Sequence, residues 1–229
     1  MDYNSVSRGK LIRTFFLRLL SFFLIWLAVL FLPAGTFPFW EAWVVLAILV
    51  IPMVLAFAHW LRNDPELLER RSKTREKEAE QKVIIRVLSL FFVLTILIPG
   101  VDQRFGWSNV PVAVAVLSEI LLLFGYGICF CAIRENRFAS RTIEVEQEQM
   151  VIASGPYAMV RHPMYLGVLL MCLSLPLALG SYWATIPALF IIPVLAARIR
   201  NEEQVLGREL KGYGDYVQKT RHRMIPGIW

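Results

Sequence analysis

Six stretches of the chain are nearly free of charge: 19–33, 40–61, 83–100, 110–133, 164–180 and 182–199. A bilayer core takes about 20 apolar residues per helix, with roughly 17 as a lower bound. Backbone exposed to lipid must satisfy its hydrogen bonds internally, which leaves helices or closed barrels. Runs of this length with no alternation of polar residues select the helices. The expected fold is therefore an all-α, polytopic membrane bundle of about six spans. The fifth and sixth runs are short and joined only by Gly180-Ser181, so a tight helical hairpin is expected there, followed by a cytosolic helical tail. A hydrophobic content of 57% over 229 residues agrees with this reading; a soluble domain of that size is more polar. The rival for the first run is a cleaved leader behind Arg8, Lys10, Arg13 and Arg18. It would leave five spans and reverse the charge logic below.

Lys and Arg set the orientation. They gather at the N-terminus, in "RNDPELLERRSKTREKEAEQK" after the second run, between the fourth and fifth runs, and in the tail. The alternate connections "AGTFPF" and Gly180-Ser181 have no basic residue, and "VDQRFGWSN" has only Arg104. With six spans every basic segment falls on one side, so both termini are expected in the cytosol. The net charge of +6 is then a topology signal, with attraction to anionic membrane lipids as a secondary use. No folded basic domain is large enough for a nucleic-acid partner. Cys129, Cys131 and Cys172 lie in apolar runs, without the spacing of a metal site or a disulfide.

The charged segment 62–82 reads as a surface helix opened by "NDPE", with Asn63 or Asp64 as cap and Pro65 in the first turn. Residues 1–133 are expected to be scaffold, and His59 an interfacial structural residue. Glu119 is an intramembrane carboxylate, but in the half of the bilayer away from the cytosol, where a protonated or paired structural role fits best. Gly125 and Gly127 permit a close backbone approach, more often by a helix than by a ligand.

Chemistry concentrates in residues 134–229. "SGPYAMVRHPMYLG" approaches the fifth run, and "RIRNEEQVLGRELKGYGDY" leaves the sixth. A hairpin returns the chain to the side it left, so His162-Pro163 and Glu202-Glu203 must meet at the cytosolic face. Gly155-Pro156 makes a turn, and Tyr157 offers an aromatic face. Pro163 suits the first helical turn, whose free N–H groups favour an anion, as do Arg161 and His162. The two carboxylates suit an ammonium group or ribose hydroxyls, and Arg198 shares their helix flank. S-adenosylmethionine carries a carboxylate, an amine and a ribose together.

At these residues the sequence resembles the isoprenylcysteine carboxyl methyltransferases and the related phospholipid N-methyltransferases. The resemblance covers roughly 135–229. It rests on G-P-Y-x-x-x-R-H-P-x-Y-x-G at 155–167 and on the later Glu-Glu pair with Leu206, Gly212, Tyr213 and Tyr216. It implies a cytosol-facing pocket for S-adenosylmethionine with a lateral opening to lipid, and a lipid-like or prenylated acceptor. Tyr157, His162, Pro163, Tyr165 and Glu202 would contact the cofactor, while Arg198 and Glu203 would be the catalytic pair. Where the eukaryotic enzymes have a histidine six residues before the motif glycine, this chain has Gln149, which can still donate and accept hydrogen bonds. The expected activity is methyl transfer without a metal, resembling carboxyl O-methylation of a prenylated cysteine. For an amine acceptor, as in phospholipid N-methylation, Glu203 would be the helper base. Sterol and enone reductases that use NADPH also end in an acidic pair, spaced tyrosines and an "IPG" tail like "RMIPGIW". They are the competing enzyme class, and a lipid-binding scaffold is the non-catalytic one.

Overall fold

The computed structural model of the chain describes residues 8–72, 79–138 and 149–229. Among these residues the protein is all-helical. The elements are α1 (Arg8–Ala34), α2 (Trp40–Asn63), α3 (Pro65–Ser72), α4 (Ala79–Phe105), α5 (Val112–Glu135), α6 (Pro163–Ala178), α7 (Thr185–Glu209) and α8 (Tyr213–Lys219). A 3-10 turn, Gly155–Ala158, precedes α6. Four helices, α1, α2, α4 and α5, are long and apolar enough to cross a membrane. Their outward faces carry exposed large apolar side chains such as Leu24, Leu55, Leu90 and Phe124, a surface that water would penalise and lipid tails accept. The protein is an integral membrane protein.

The expected hairpin is present, with three differences from the bounds read in the sequence. The α6 helix has 16 residues and therefore rises about 24 Å, short of the roughly 30 Å hydrocarbon core. The helix α7 does not stop with its apolar run at residue 199 but continues through the charged stretch to Glu209, because nothing there breaks it. The connection between the two is also longer than Gly180-Ser181, running from Leu179 to Ala184. It is tied to the end of α4 by the buried Asp102, which accepts hydrogen bonds from Ser181 Oγ, Ser108 Oγ and the Ser108 N–H.

The glycine in the fourth run has a packing role. A Cβ on Gly125 would stand 2.8 Å from the Gly167 carbonyl oxygen, and one on Gly167 would stand 2.6 Å from that of Gly125. The backbones of α5 and α6 therefore touch, as small residues allow between membrane helices. Gly127, by contrast, has nothing within 4 Å of its would-be Cβ and opens into a groove. The core of the bundle joins Trp26, Leu30, Val45, Leu122 and Leu175 from α1, α2, α5 and α6 with Phe39 and Leu179, which flank α2 and α6.

The connection to α3 follows the sequence signal: Asp64 Oδ1 accepts the Leu67 N–H at 3.3 Å, and Pro65 opens the helix. Residues 73–78 of the expected surface helix lie outside the described residues. Gly167→Leu is expected to lower thermal stability in detergent by about 1–3 kcal/mol, as overpacking does, whereas Gly127→Leu leaves it unchanged. Melting curves of the two variants beside the wild type check this.

Candidate active site

The start of α6 and the charged half of α7 meet around one carboxylate. Glu203 Oε1 accepts hydrogen bonds from Arg161 Nε at 2.7 Å and His162 Nε2 at 3.1 Å, and Glu203 Oε2 accepts one from Arg223 Nε at 2.7 Å. An ionised carboxylate has only acceptors, so His162 Nε2 carries its proton here. Burial alone would raise the Glu203 pKa; the hydrogen bonds from His162, Arg161 and Arg223 outweigh it and bring it from 4.5 down to about 2. The tail completes the clamp. Arg161 Nη1 donates to the carbonyls of Thr220 and Arg221, and the N–H groups of Arg161 and His162 donate to the carbonyls of His222 and Arg223. Met224, Ile225 and Trp229 then pack on Tyr165, Leu169, Leu195 and Ile199.

Glu202 has a different setting. Tyr165 Oη donates to Glu202 Oε2 at 2.6 Å, and among the described residues no cation pairs with this carboxylate. Tyr165 Oη also accepts from Arg198 Nε at 2.9 Å, and Arg198 Nη1 donates to Gln81 Oε1 at 2.9 Å. Gln81 is fully buried, and its Nε2 donates to Asn201 Oδ1 at 2.6 Å. A relay thus runs Gln81–Arg198–Tyr165–Glu202, from the first turn of α4 to the acidic pair. Gln81 belongs to the half of the chain read as scaffold, and nothing in "AEQK" marked it out.

The remaining candidates surround this relay. Gly155 takes φ +55 at the head of the 3-10 turn, a left-handed backbone that suits glycine. Tyr157 follows it, buried, its carbonyl accepting from Tyr216 Oη at 2.8 Å. Burial pushes the Tyr157 phenol up to about 12. Pro163 opens α6. Gln149 is half-buried at the start of the described segment before the turn. Tyr213 packs with Leu210, Tyr216 and Val151, yet its buried Oη has no hydrogen-bond partner among the described residues. Burial first, and the nearby Glu203 charge second, push that phenol's pKa up. Glu119 lies on α5, away from this cluster, buried and with Oε1 unpartnered among the described residues. No group of three or more His, Cys, Asp or Glu side chains among the described residues could hold a metal.

Two expectations change in character. Arg161, placed among the cofactor ligands from the sequence, spends Nε and Nη1 on Glu203 and the tail. Glu203, placed as helper base, is clamped on both oxygens and is too weak a base to take a proton near neutrality. Sequence spacing brought the acidic pair to the start of α6 but did not divide its labour. Arg223, whose bond to Glu203 completes that division, lies 20 residues away in the tail and had no local signal.

Residues 116–208 match the family profile of the isoprenylcysteine carboxyl methyltransferase (ICMT) family. That segment, less than half of the chain, is similar to the ICMT family. The fold agrees: the eukaryotic intramembrane Ras methyltransferase ICMT superposes with TM-score 0.51 at 16% identity, covering 82% of this chain and 74% of that one. The chain is also similar to a Delta(14)-sterol reductase of Mus musculus, 33% identical over 91 residues. That match spans 38% of this chain and only 22% of the reductase's length.

Glu203 binds its partners as a carboxylate, so the clamp's stabilisation is fully present above pH 4.5 and is lost as pH falls toward about 2. Pepsin is therefore expected to release the tail of the wild type progressively over that window. Glu203→Gln should release it throughout, since removing one partner of such a buried cluster costs about 3–5 kcal/mol. A tail equally resistant in both proteins would contradict the clamp.

Proposed function

We propose that the protein transfers a methyl group from S-adenosylmethionine to an anionic, lipid-like acceptor within the membrane. The observation that carries this reading is the unequal acidic pair. Glu203 is saturated by two guanidinium groups and an imidazole, while Glu202, oriented by Tyr165, is left without a cation among the described residues. A carboxylate so placed is an acceptor for an ammonium group or ribose hydroxyls. The unpartnered Tyr213 Oη beside it is a second polar group whose hydrogen bonding a ligand would complete. Tyr157 offers a buried aromatic wall, and the first turn of α6 offers amide N–H groups for a carboxylate. The residues present therefore fit the donor. When bound, its sulfonium supplies an activated methyl group.

The chain's own residues then position and exclude. Arg198, held on two sides by Tyr165 and Gln81, orients an anionic acceptor through charge-assisted hydrogen bonds. The folded-back tail keeps water from the site, which favours attack by a carboxylate. An amine acceptor would need a proton removed, and a Glu203 pKa of about 2 leaves that residue unsuited to the task. This favours carboxyl O-methylation over phospholipid N-methylation, on the face that the distribution of Lys and Arg assigns to the cytosol.

The 91-residue similarity to a sterol reductase supports a second reading, reduction of an enone or sterol with NADPH. One measurement separates the two. Excess ligand stabilises its binding partner by about 2.7 kcal/mol at a hundredfold over Kd, so S-adenosylmethionine and S-adenosylhomocysteine should raise the melting temperature while NADPH does not. The opposite pattern establishes the reductase reading. Arg198→Ala and Gln81→Leu are expected to retain S-adenosylhomocysteine binding while turnover falls, by about 10²-fold or more for Arg198. Turnover unchanged in Arg198→Ala would remove it from the mechanism.

A further inference from the structure

The relay that ends on Glu202 has a second end. Gln81 Oε1 accepts from Arg198 Nη1 at 2.9 Å, while Gln81 Nε2 donates to Asn201 Oδ1 at 2.6 Å and to the Arg198 carbonyl at 3.4 Å. Asn201 Nδ2 in turn donates to Glu80 Oε2 at 2.5 Å. Asn201 is half-buried on α7, and Glu80 is exposed in the first turn of α4.

A side-chain amide has two faces of opposite sense, a carbonyl that accepts and an NH2 group that donates, within nearly the same outline. Packing therefore leaves the sense of Gln81 and Asn201 open, and hydrogen bonding must decide it. At one end of the run sits a guanidinium, which only donates; at the other sits an ionised carboxylate, which only accepts. Between them every link takes one direction: Arg198 to Gln81, Gln81 to Asn201, Asn201 to Glu80. Reversing either amide sets donor against donor or acceptor against acceptor. Gln81 is 0% exposed, so bulk water cannot absorb the mismatch, and an unmet buried group carries its full desolvation cost.

Arg198 also donates in the other direction, through Nε to Tyr165 Oη at 2.9 Å, and Tyr165 donates to Glu202. Its guanidinium is thus held at two different nitrogens, which together fix its plane. Without the Gln81 bond that plane can turn about the Tyr165 bond. We infer that Asn201 and Glu80 are positioning residues for Arg198: Glu80 imposes the sense of Asn201, Asn201 that of Gln81, and Gln81 the plane of the guanidinium. The inference rests on the methyl-transfer reading for its kinetic consequence and on hydrogen-bond geometry for the rest. It extends the site to a surface carboxylate outside the segment 116–208 that matches the ICMT family profile.

Four full-length proteins in detergent test it: the wild type, Glu80→Lys, Asn201→Asp and the double variant. Lysine only donates, so Glu80→Lys draws Asn201 Oδ1 toward itself and turns both amides over. Aspartate only accepts, so Asn201→Asp keeps the sense of Gln81 but sets two carboxylates together. In the double variant the introduced lysine pairs with the introduced aspartate, and the sense is again correct. Each protein is assayed for methyl transfer from S-adenosylmethionine to N-acetyl-S-farnesylcysteine, S-adenosylhomocysteine affinity and melting temperature. The Arg198 Nε–H resonance is followed in protein carrying isotope-labelled arginine and is assigned through Arg198→Lys. Glu80→Lys should lower kcat by at least about tenfold and displace the Arg198 resonance, with donor affinity and melting temperature at wild-type values. Asn201→Asp should be the less stable of the two single variants and yet the more active, and the double variant should recover most of the turnover. Wild-type turnover or an unmoved Arg198 resonance in Glu80→Lys overturns the inference. So does turnover that follows melting temperature across the four proteins, the mark of a structural staple. If Glu80→Lys fails to fold, Asn201→Asp decides: an Arg198 resonance at its wild-type position supports the inference, and a displaced one overturns it. If the wild type transfers no methyl group but the resonance moves in Glu80→Lys and returns in the double variant, the methyl-transfer reading fails and the positioning chain stands.

Discussion

Glu203 gathers three donors that come from two distant parts of the chain: Arg161 and His162 at the start of α6, and Arg223 in the tail. Each of these groups is expensive to remove from water alone, and together they satisfy one another. The consequence is mechanical. The carboxylate fixes the angle at which α6 begins, the height of α7 beside it, and the path of the tail, whose carbonyls are used up by the same arginine and by two backbone N–H groups. Without that knot the tail would have little reason to fold back over the hairpin, and the apolar residues it covers, Tyr165, Leu169, Leu195 and Ile199, would lose Met224, Ile225 and Trp229 as neighbours.

With Glu203 fully occupied, the neighbouring carboxylate can take a different part. Adjacent glutamates on a helix point some 100° apart, so one can face the knot while the other faces Tyr165. Glu202 does so, steadied by Tyr165, which Arg198 and Gln81 steady in turn. A relay of this kind makes a site rigid without consuming the group that a ligand needs. It also joins the two halves of the molecule, since Gln81 belongs to α4 and the acidic pair to α7.

Much of this was legible in the sequence because the bilayer leaves so few choices. Charge-free runs gave the helices, and the near-absence of a connection between 164–180 and 182–199 required their ends to meet. What escaped was decided by side chains whose partners are remote. Gln81 stands between Glu80 and Lys82 and looks like any solvated polar residue; only the arrival of Arg198 makes it a buried one. Arg223 sits among other basic residues in "KTRHRM", with nothing to say which would turn inward. The apolar run ends at residue 199, but the helix flank shared by Arg198, Glu202 and Glu203 already carried α7 into the charged stretch, and its hydrogen bonding takes it on to Glu209.

The central claim is that the turn before α6 and the charged half of α7 are two walls of one donor cavity. Hydrogen–deuterium exchange with and without S-adenosylmethionine tests it most directly. The account predicts that the ligand slows exchange in residues 154–166 and 202–216 together, at the same ligand concentration. Protection of only one segment, or of neither while the ligand is demonstrably bound, would contradict it.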